Sequence, residues 1–222
     1  IVRDSAERAG RDPGSIRIWS VLATVTDLVP EEQRLRKLVG RLATYLQGYG
    51  ETLVRANRWD LADLERFRVM LAERNEVMNL VGPASLPDFW SRHAWDSAQL
   101  LRVAPEARAW ADLGAGAGLP GIVLAILGKG VVGFHVDLVE SMTKRGKFLS
   151  EVVEALELPA TVHNTRAENL DLTVEIVTAR ACAPLRRLLG YARPYLQSGA
   201  TGLFLKGQDV VSEMKEAARY WE

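Results

Sequence analysis

The chain has 222 residues, 48% apolar and 25% charged, an ordinary make-up for a globular protein with one sizeable core or one domain plus an extension. Its 28 Lys and Arg balance 28 Asp and Glu, which excludes a uniformly basic nucleic-acid surface and leaves such a role to local patches. The single cysteine, Cys182, excludes a disulfide within these residues and a multi-cysteine metal site; no apolar run has the length of a membrane span and no secretory leader opens the chain, so a cytoplasmic protein is expected.

The chain opens on Ile1 and ends at Glu222 inside a helical pattern, so it reads as a fragment. Arg11-Asp12-Pro13-Gly14 is a turn signal before the apolar run 16–25, a strand candidate. Leu35, Leu38, Leu42, Tyr45 and Leu46 predict a helix over about 31–47. The pattern resets near residue 60, where Leu61, Leu64, Phe67, Met70 and Leu71 predict a second helix. Ser85 and Pro87 open a third, over about 88–103, with Phe89, Trp90, His93, Ser97, Leu100 and Leu101 sharing one face.

Beyond Pro105 short apolar runs alternate with helical segments. Strands are predicted over 109–113, 131–139, 160–163, 176–179 and 203–205. Helices are predicted over 119–127, 142–156, 185–196 and 210–221. This alternation predicts an α/β, doubly wound, Rossmann-like fold with a mostly parallel sheet, preceded by N-terminal helices. The domain reading is an extension over 1–60, a helical entry over 61–104 and a core over 105–222.

The most informative stretch is Asp112-Leu113-Gly114-Ala115-Gly116-Ala117-Gly118-Leu119-Pro120-Gly121, which follows a strand and precedes a helix. Alternating glycines let the backbone turn sharply and approach a ligand, and the helix behind points its N–H groups there. Gly116-x-Gly118-x-x-Gly121 also matches the dinucleotide fingerprint, with Glu140 about twenty residues on, so an NAD(P)- or flavin-dependent oxidoreductase is the rival reading. Asp112 favours S-adenosylmethionine: an acid repels a diphosphate but suits a ligand bearing an ammonium and a sulfonium. Glu140, ending the next strand, can accept both hydroxyls of a ribose; the plainer reading is an acid at a helix N-terminus.

Further stretches complete a pattern: Asn79-Leu80, Arg92-His93 with Asp96-Ser97, Glu140-Ser141, Lys144-Arg145, Phe148-Leu149, Arg166-Ala167-Glu168, Arg180-Ala181 and Lys206-Gly207. In this order and spacing, residues from about 61 to 222 resemble the bacterial 16S rRNA guanine-N7 methyltransferase family, also called glucose-inhibited division protein B. The resemblance implies an S-adenosylmethionine-dependent enzyme acting on small-subunit ribosomal RNA or the assembled small subunit; a monomer is expected. The family runs on into strands that complete the sheet, and these are missing from the sequence. Residues 1–60 differ from the family and weakly resemble the C-terminal region of luciferase-like, deazaflavin-dependent oxidoreductases, so an inactive fusion fragment is a third reading.

By the resemblance, Gly114 and Leu119 line the cofactor pocket, Glu140 holds the ribose, and Ala167 and Glu168 flank the adenine. Asp112, Gly116 and Gly118 complete the cofactor set. Arg180 follows the fourth strand, where it meets cofactor and target base and is the catalytic candidate. Arg180 and Lys206 would position phosphates or the guanine edge. His93 and Asp96 shape the pocket or simply fix their helix.

Guanine N7 exposes a lone pair, so no general base is expected and catalysis rests on alignment and on carboxylates or dipoles that offset developing charge. Lys144, Arg145, Lys147, Arg186, Arg187 and Arg193 are the candidate phosphate contacts, though singly each reads as part of a solvated helix face. Cys182 sits where cytosine-C5 enzymes keep a nucleophile, but Ala181, Ala183 and Pro184 around it favour a small core residue.

Overall fold

The computed structural model describes residues 61–82, 85–207 and 209–220. The strand and helix expected over 16–25 and 31–47 lie outside the described residues. Contacts divide the chain into two units, Ile1–Arg58 and Trp59–Glu222, and every described residue belongs to the second.

Helix α1 spans Leu61–Met78. Its Leu64, Phe67 and Leu71 recur at helical spacing and are fully buried. Burying a side chain of this kind stabilises by roughly 1.5–3 kcal/mol. The helix ends where Asn79 turns left-handed at φ +48° and Asn75 Oδ1 accepts the Val81 N–H at 2.8 Å, reversing the chain.

The next helix differs from its expected form. It begins as a π-helix, Phe89–Trp95, and only then becomes an α-helix, α2, Asp96–Val103. Over seven residues, apolar spacing does not distinguish the wider winding from the ordinary one. The wide turn places Phe89, His93 and Ala94 inward together, and the His93 carbonyl accepts both the Asp96 N–H and, at 2.6 Å, Ser97 Oγ.

The core is one parallel sheet. Its strands are β1 Ala109–Leu113, β2 His135–Val139, β3 Ala160–His163, β4 Ile176–Arg180 and β5 Thr201–Leu205, in the order β3-β2-β1-β4-β5. Helices α3 Gly121–Gly128, α4 Thr143–Ala155, α5 Leu185–Gln197 and α6 Val210–Ala217 alternate with them. Strand β1 lies at the centre, and Trp110, Ala111 and Leu113 are completely buried. Strand β2 starts four residues later than predicted, because Val131 and Val132 sit in an exposed turn closed by Val131 N–H to Gly128 O and Phe134 N–H to Val131 O. A short 3₁₀ turn, Ala167–Asn169, was not predicted. The strand order reverses between β1 and β4, which opens a crevice at the carboxyl ends of the strands.

Candidate active site

Strand β1 delivers the chain into that crevice through the glycine turn. Gly114, Gly116 and Gly118 have φ of +69°, +51° and +83°, a region other residues enter at a cost. Gly114 and Ala115 N–H both donate to Val139 O, at 2.8 and 3.0 Å, which pins the turn to the end of β2. A Cβ on Gly114 would lie 2.5 Å from Cys182 Sγ, so glycine here lets the loop after β4 close on the turn.

Asp112 is not where the sequence reading put it. It is completely buried beneath the turn and lines none of the cavities of the crevice described below. Its Oδ2 accepts the Gly121 N–H at 2.8 Å and ties the turn to the start of α3, while Oδ1 is buried without a hydrogen-bond partner. Burial pushes its carboxyl up to about 7, with the Gly121 N–H acting against the rise and nearby Glu140 adding to it. Gly118 is likewise structural: a Cβ there would meet Ile122 at 2.5 Å, so it packs inward rather than toward a ligand.

Glu140 caps the other side. Its Oε2 accepts the Gly116 N–H at 3.0 Å and its Oε1 the Met142 N–H at 2.7 Å. Both oxygens thus shape the backbone of the turn, and each keeps a lone pair for a further donor.

Three adjoining cavities occupy the crevice. The first, of 310 Å³, is bounded by Gly114, Ser141, Ala167, Glu168, Arg187 and Tyr191, among others. Tyr195 OH donates to Ala167 O and Leu170 O, at 3.0 and 3.1 Å, and holds the wall that carries Ala167 and Glu168. Thr165 and Tyr191 also line this space; neither belongs to a motif, so nothing in the sequence pointed to them. The second cavity, of 450 Å³, runs along Gly114–Ala117 and Leu119 to Ser85, His93, Arg145 and Arg180. The third, of 730 Å³, is bounded by Arg92, Asp96, Arg180, Cys182, Lys206 and Glu213. Gly114 joins the first to the second, Cys182 the first to the third, and Arg180 the second to the third.

Arg180 is half-buried, its Nη1 is buried with no partner, and burial lowers its pKa. Such an atom favours an anionic or carbonyl acceptor. His93 Nε2 lies 3.1 Å from Ser85 Oγ. Burial, then the charges of Arg180 and Arg92, drop its pKa to about 4, so it is a neutral imidazole near pH 7.

Lys206 departs from the expected substrate contact. Its ammonium donates to Ala183 O at 2.9 Å and pairs with Glu213 Oε2 at 2.6 Å, with the side chain 12% exposed. Glu213 also accepts the Leu185 N–H at 2.7 Å, so Lys206 belongs to a tie between β5, the loop after β4 and α6. A cation paired internally in this way is not a free phosphate contact. Arg186 is likewise engaged, stacked 3.8 Å over the Tyr220 ring and 4.0 Å from Glu216. Lys144 and Lys147 are exposed on α4, whereas Arg145 reaches back beside Gly116. Cys182 is half-buried, and burial, followed by the charges of Asp112 and Glu140, raises its thiol pKa; a thiolate nucleophile is disfavoured.

A profile of the family described as rRNA small subunit methyltransferase G (GidB) matches residues 60–222. A protein of Caulobacter sp. (strain K31) named ribosomal RNA small subunit methyltransferase G is 72% identical over 162 residues, 73% of either chain. A namesake from Caulobacter vibrioides (strain NA1000 / CB15N) is 62% identical over 171 residues, 77% of this chain and 79% of its own. Among solved structures, a Corynebacterium glutamicum protein shares the fold at TM-score 0.51 and 15% identity, covering 78% of this chain and 85% of its own. A candidate O-methyltransferase from Klebsiella pneumoniae does so at 0.51 and 11%, covering 78% and 83%. The oxidoreductase reading of the glycine turn is set aside, because the family that matches residues 60–222 and relatives 62% and 72% identical to this chain carry the methyltransferase name. The chain therefore belongs to the rRNA small subunit methyltransferase G family, whose members are S-adenosylmethionine-dependent methyltransferases.

Proposed function

We propose that this protein transfers the methyl group of S-adenosylmethionine to guanine N7 in 16S rRNA, on the free RNA or the assembled small subunit. The observation that carries this reading is the wall at Cys182, which the 310 Å³ cavity beside the glycine turn shares with the 730 Å³ cavity lined by Arg92 and Arg180. One space fits a nucleoside and the other an RNA base. The setting is the cytoplasm, where ribosomal RNA lies, and the working unit is a monomer.

The residues present fit the cofactor. Gly114 and Gly116 leave the wall open to backbone approach. Ala167 and Glu168 stand where they can flank the adenine, and the remaining lone pairs of Glu140 can take ribose hydroxyls. The unpartnered Nη1 of Arg180 suits the methionyl carboxylate, and Leu119 lines the same stretch. Asp112 and Gly118 act by shaping the turn. The bound cofactor supplies an electrophilic methyl on a sulfonium.

The rest of the chemistry is positioning. Guanine N7 attacks with its own lone pair, so no side chain takes a proton from it. With its pKa lowered to about 4, His93 is a weak base, and the Cys182 thiol stays protonated; both suit a site that runs without base or nucleophile. Lys144 and Arg145 provide phosphate contacts beside the turn. The test is methyl transfer from labelled cofactor to small subunits, followed by borohydride and aniline. An N7-methylated guanine is positively charged, its glycosidic bond becomes labile, and the strand breaks there. Label retained on an unbroken strand sinks the N7 assignment.

A further inference from the structure

The 730 Å³ cavity contains four charged groups besides Arg180, and their pairing is uneven. Lys206 and Glu213 neutralise each other. Asp96, in the first turn of α2, has no such partner. Among the described residues no cation lies within ion-pair distance of it, and the one hydrogen bond given to its carboxylate is a long one from Gln99 Nε2, at 3.5 Å. Arg92, four residues earlier, lines the same cavity, and its charge is felt by the carboxylate. A half-buried carboxylate without a firm partner lacks something to accept from, and burial raises its pKa against the pull of Arg180 and Arg92.

The nucleobases differ in what they can offer such a group. Only guanine carries two adjacent donors on its Watson–Crick edge, N1–H and N2–H, with the O6 acceptor beside them. Adenine, cytosine and uracil each interrupt the pair with an acceptor. A carboxylate offers two parallel acceptors, and a guanidinium supplies the donor for O6. The Watson–Crick edge also lies away from N7 on the purine, so a base held by that edge keeps N7 free.

Resting on the guanine reading above, we infer that Asp96 determines base specificity: its two oxygens accept N1–H and N2–H of the target guanine while Arg92 donates to O6. Enzymes that act on an extruded base commonly read this edge. Asp96 is thus a recognition residue and takes no proton in the transfer.

The 222-residue chain is first titrated with adenosylhomocysteine and then, once loaded, with GMP, IMP and AMP by calorimetry. IMP differs from GMP only by lacking the N2 amino group. GMP binds about tenfold tighter than IMP, because a charge-assisted hydrogen bond is lost, and AMP binds more weakly than either. Asp96→Asn, which replaces one acceptor by a donor, brings GMP down to the level of IMP while adenosylhomocysteine binds as before. Equal binding of GMP and IMP by the unaltered chain, or GMP binding too weak to measure, overturns the inference without requiring any variant. So does an Asp96→Asn protein that keeps the GMP preference. Loss of adenosylhomocysteine binding by the unaltered chain overturns the methyl-transfer reading as well, and is seen before any nucleotide is added.

Discussion

At the scale of single residues, the glycine turn depends on an acid buried beneath it, away from the cavities of the crevice. Asp112 accepts the Gly121 N–H, and its carboxyl sits near 7 against an ordinary 3.8. A folded-state pKa raised in this way contributes stability that is present below 3.8 and lost as pH rises toward 7. Asp112→Asn keeps an acceptor for Gly121 but cannot ionise. Its melting temperature should therefore gain on that of the unaltered protein from pH 4 to 8; a gap that shrinks over this range would contradict the burial argument. Gly116 is the complementary case. A Cβ there meets nothing nearer than 3.5 Å, yet φ is +51° and the position edges the cavity. Gly116→Val should abolish adenosylhomocysteine binding in calorimetry, with a smaller loss of stability from backbone strain, about 1–2 kcal/mol. Cys182→Ala should retain methyl transfer to small subunits, since the thiol stays protonated; complete loss with an intact fold would point to covalent catalysis.

Between elements, the loop after β4 is held from the far side. Lys206 at the end of β5 grips Ala183 O, and Glu213 of α6 joins Lys206 to the first N–H of α5. The hydrogen bond from Lys206, then that from Leu185, pull the Glu213 carboxyl below its usual 4.5. A lowered pKa gives stability that is present above 4.5 and lost as pH falls through the folded value. Glu213→Gln should thus melt below the unaltered protein at pH 7, and the two curves should converge as pH drops under 4.5. Persistence of the full gap at acid pH would show that packing, not the ion pair, holds α6.

Across the whole molecule, recognition of a long polyanion rests on patches, because the net charge is zero. Replacing Lys144 and Arg145 together by Ala should weaken RNA binding and reduce the slope of log affinity against log salt by about 1.5, the loss expected for two phosphate contacts. An unchanged slope would move the RNA to another face. The same reading requires adenosylhomocysteine, and not NAD, to raise the melting temperature.

The sequence by itself determined the architecture and the position of the glycine turn within it. Strict alternation of apolar runs with helical segments admits few arrangements other than a parallel sheet under helices, and the glycine turn follows β1 as expected. Bounds such as 109–113 and 160–163 agree with the strands observed, since each run is short, apolar and framed by turns. What the tertiary structure decided was direction and pairing. Asp112 was legible as important but not as buried, because a strand residue's side depends on what packs against it. Lys206 reads in sequence like any solvated cation; only the approach of α6 brings Glu213 within 2.6 Å. The cavity that holds Asp96 is built by residues from 92 to 213, segments far apart in the chain, and no local pattern encodes it.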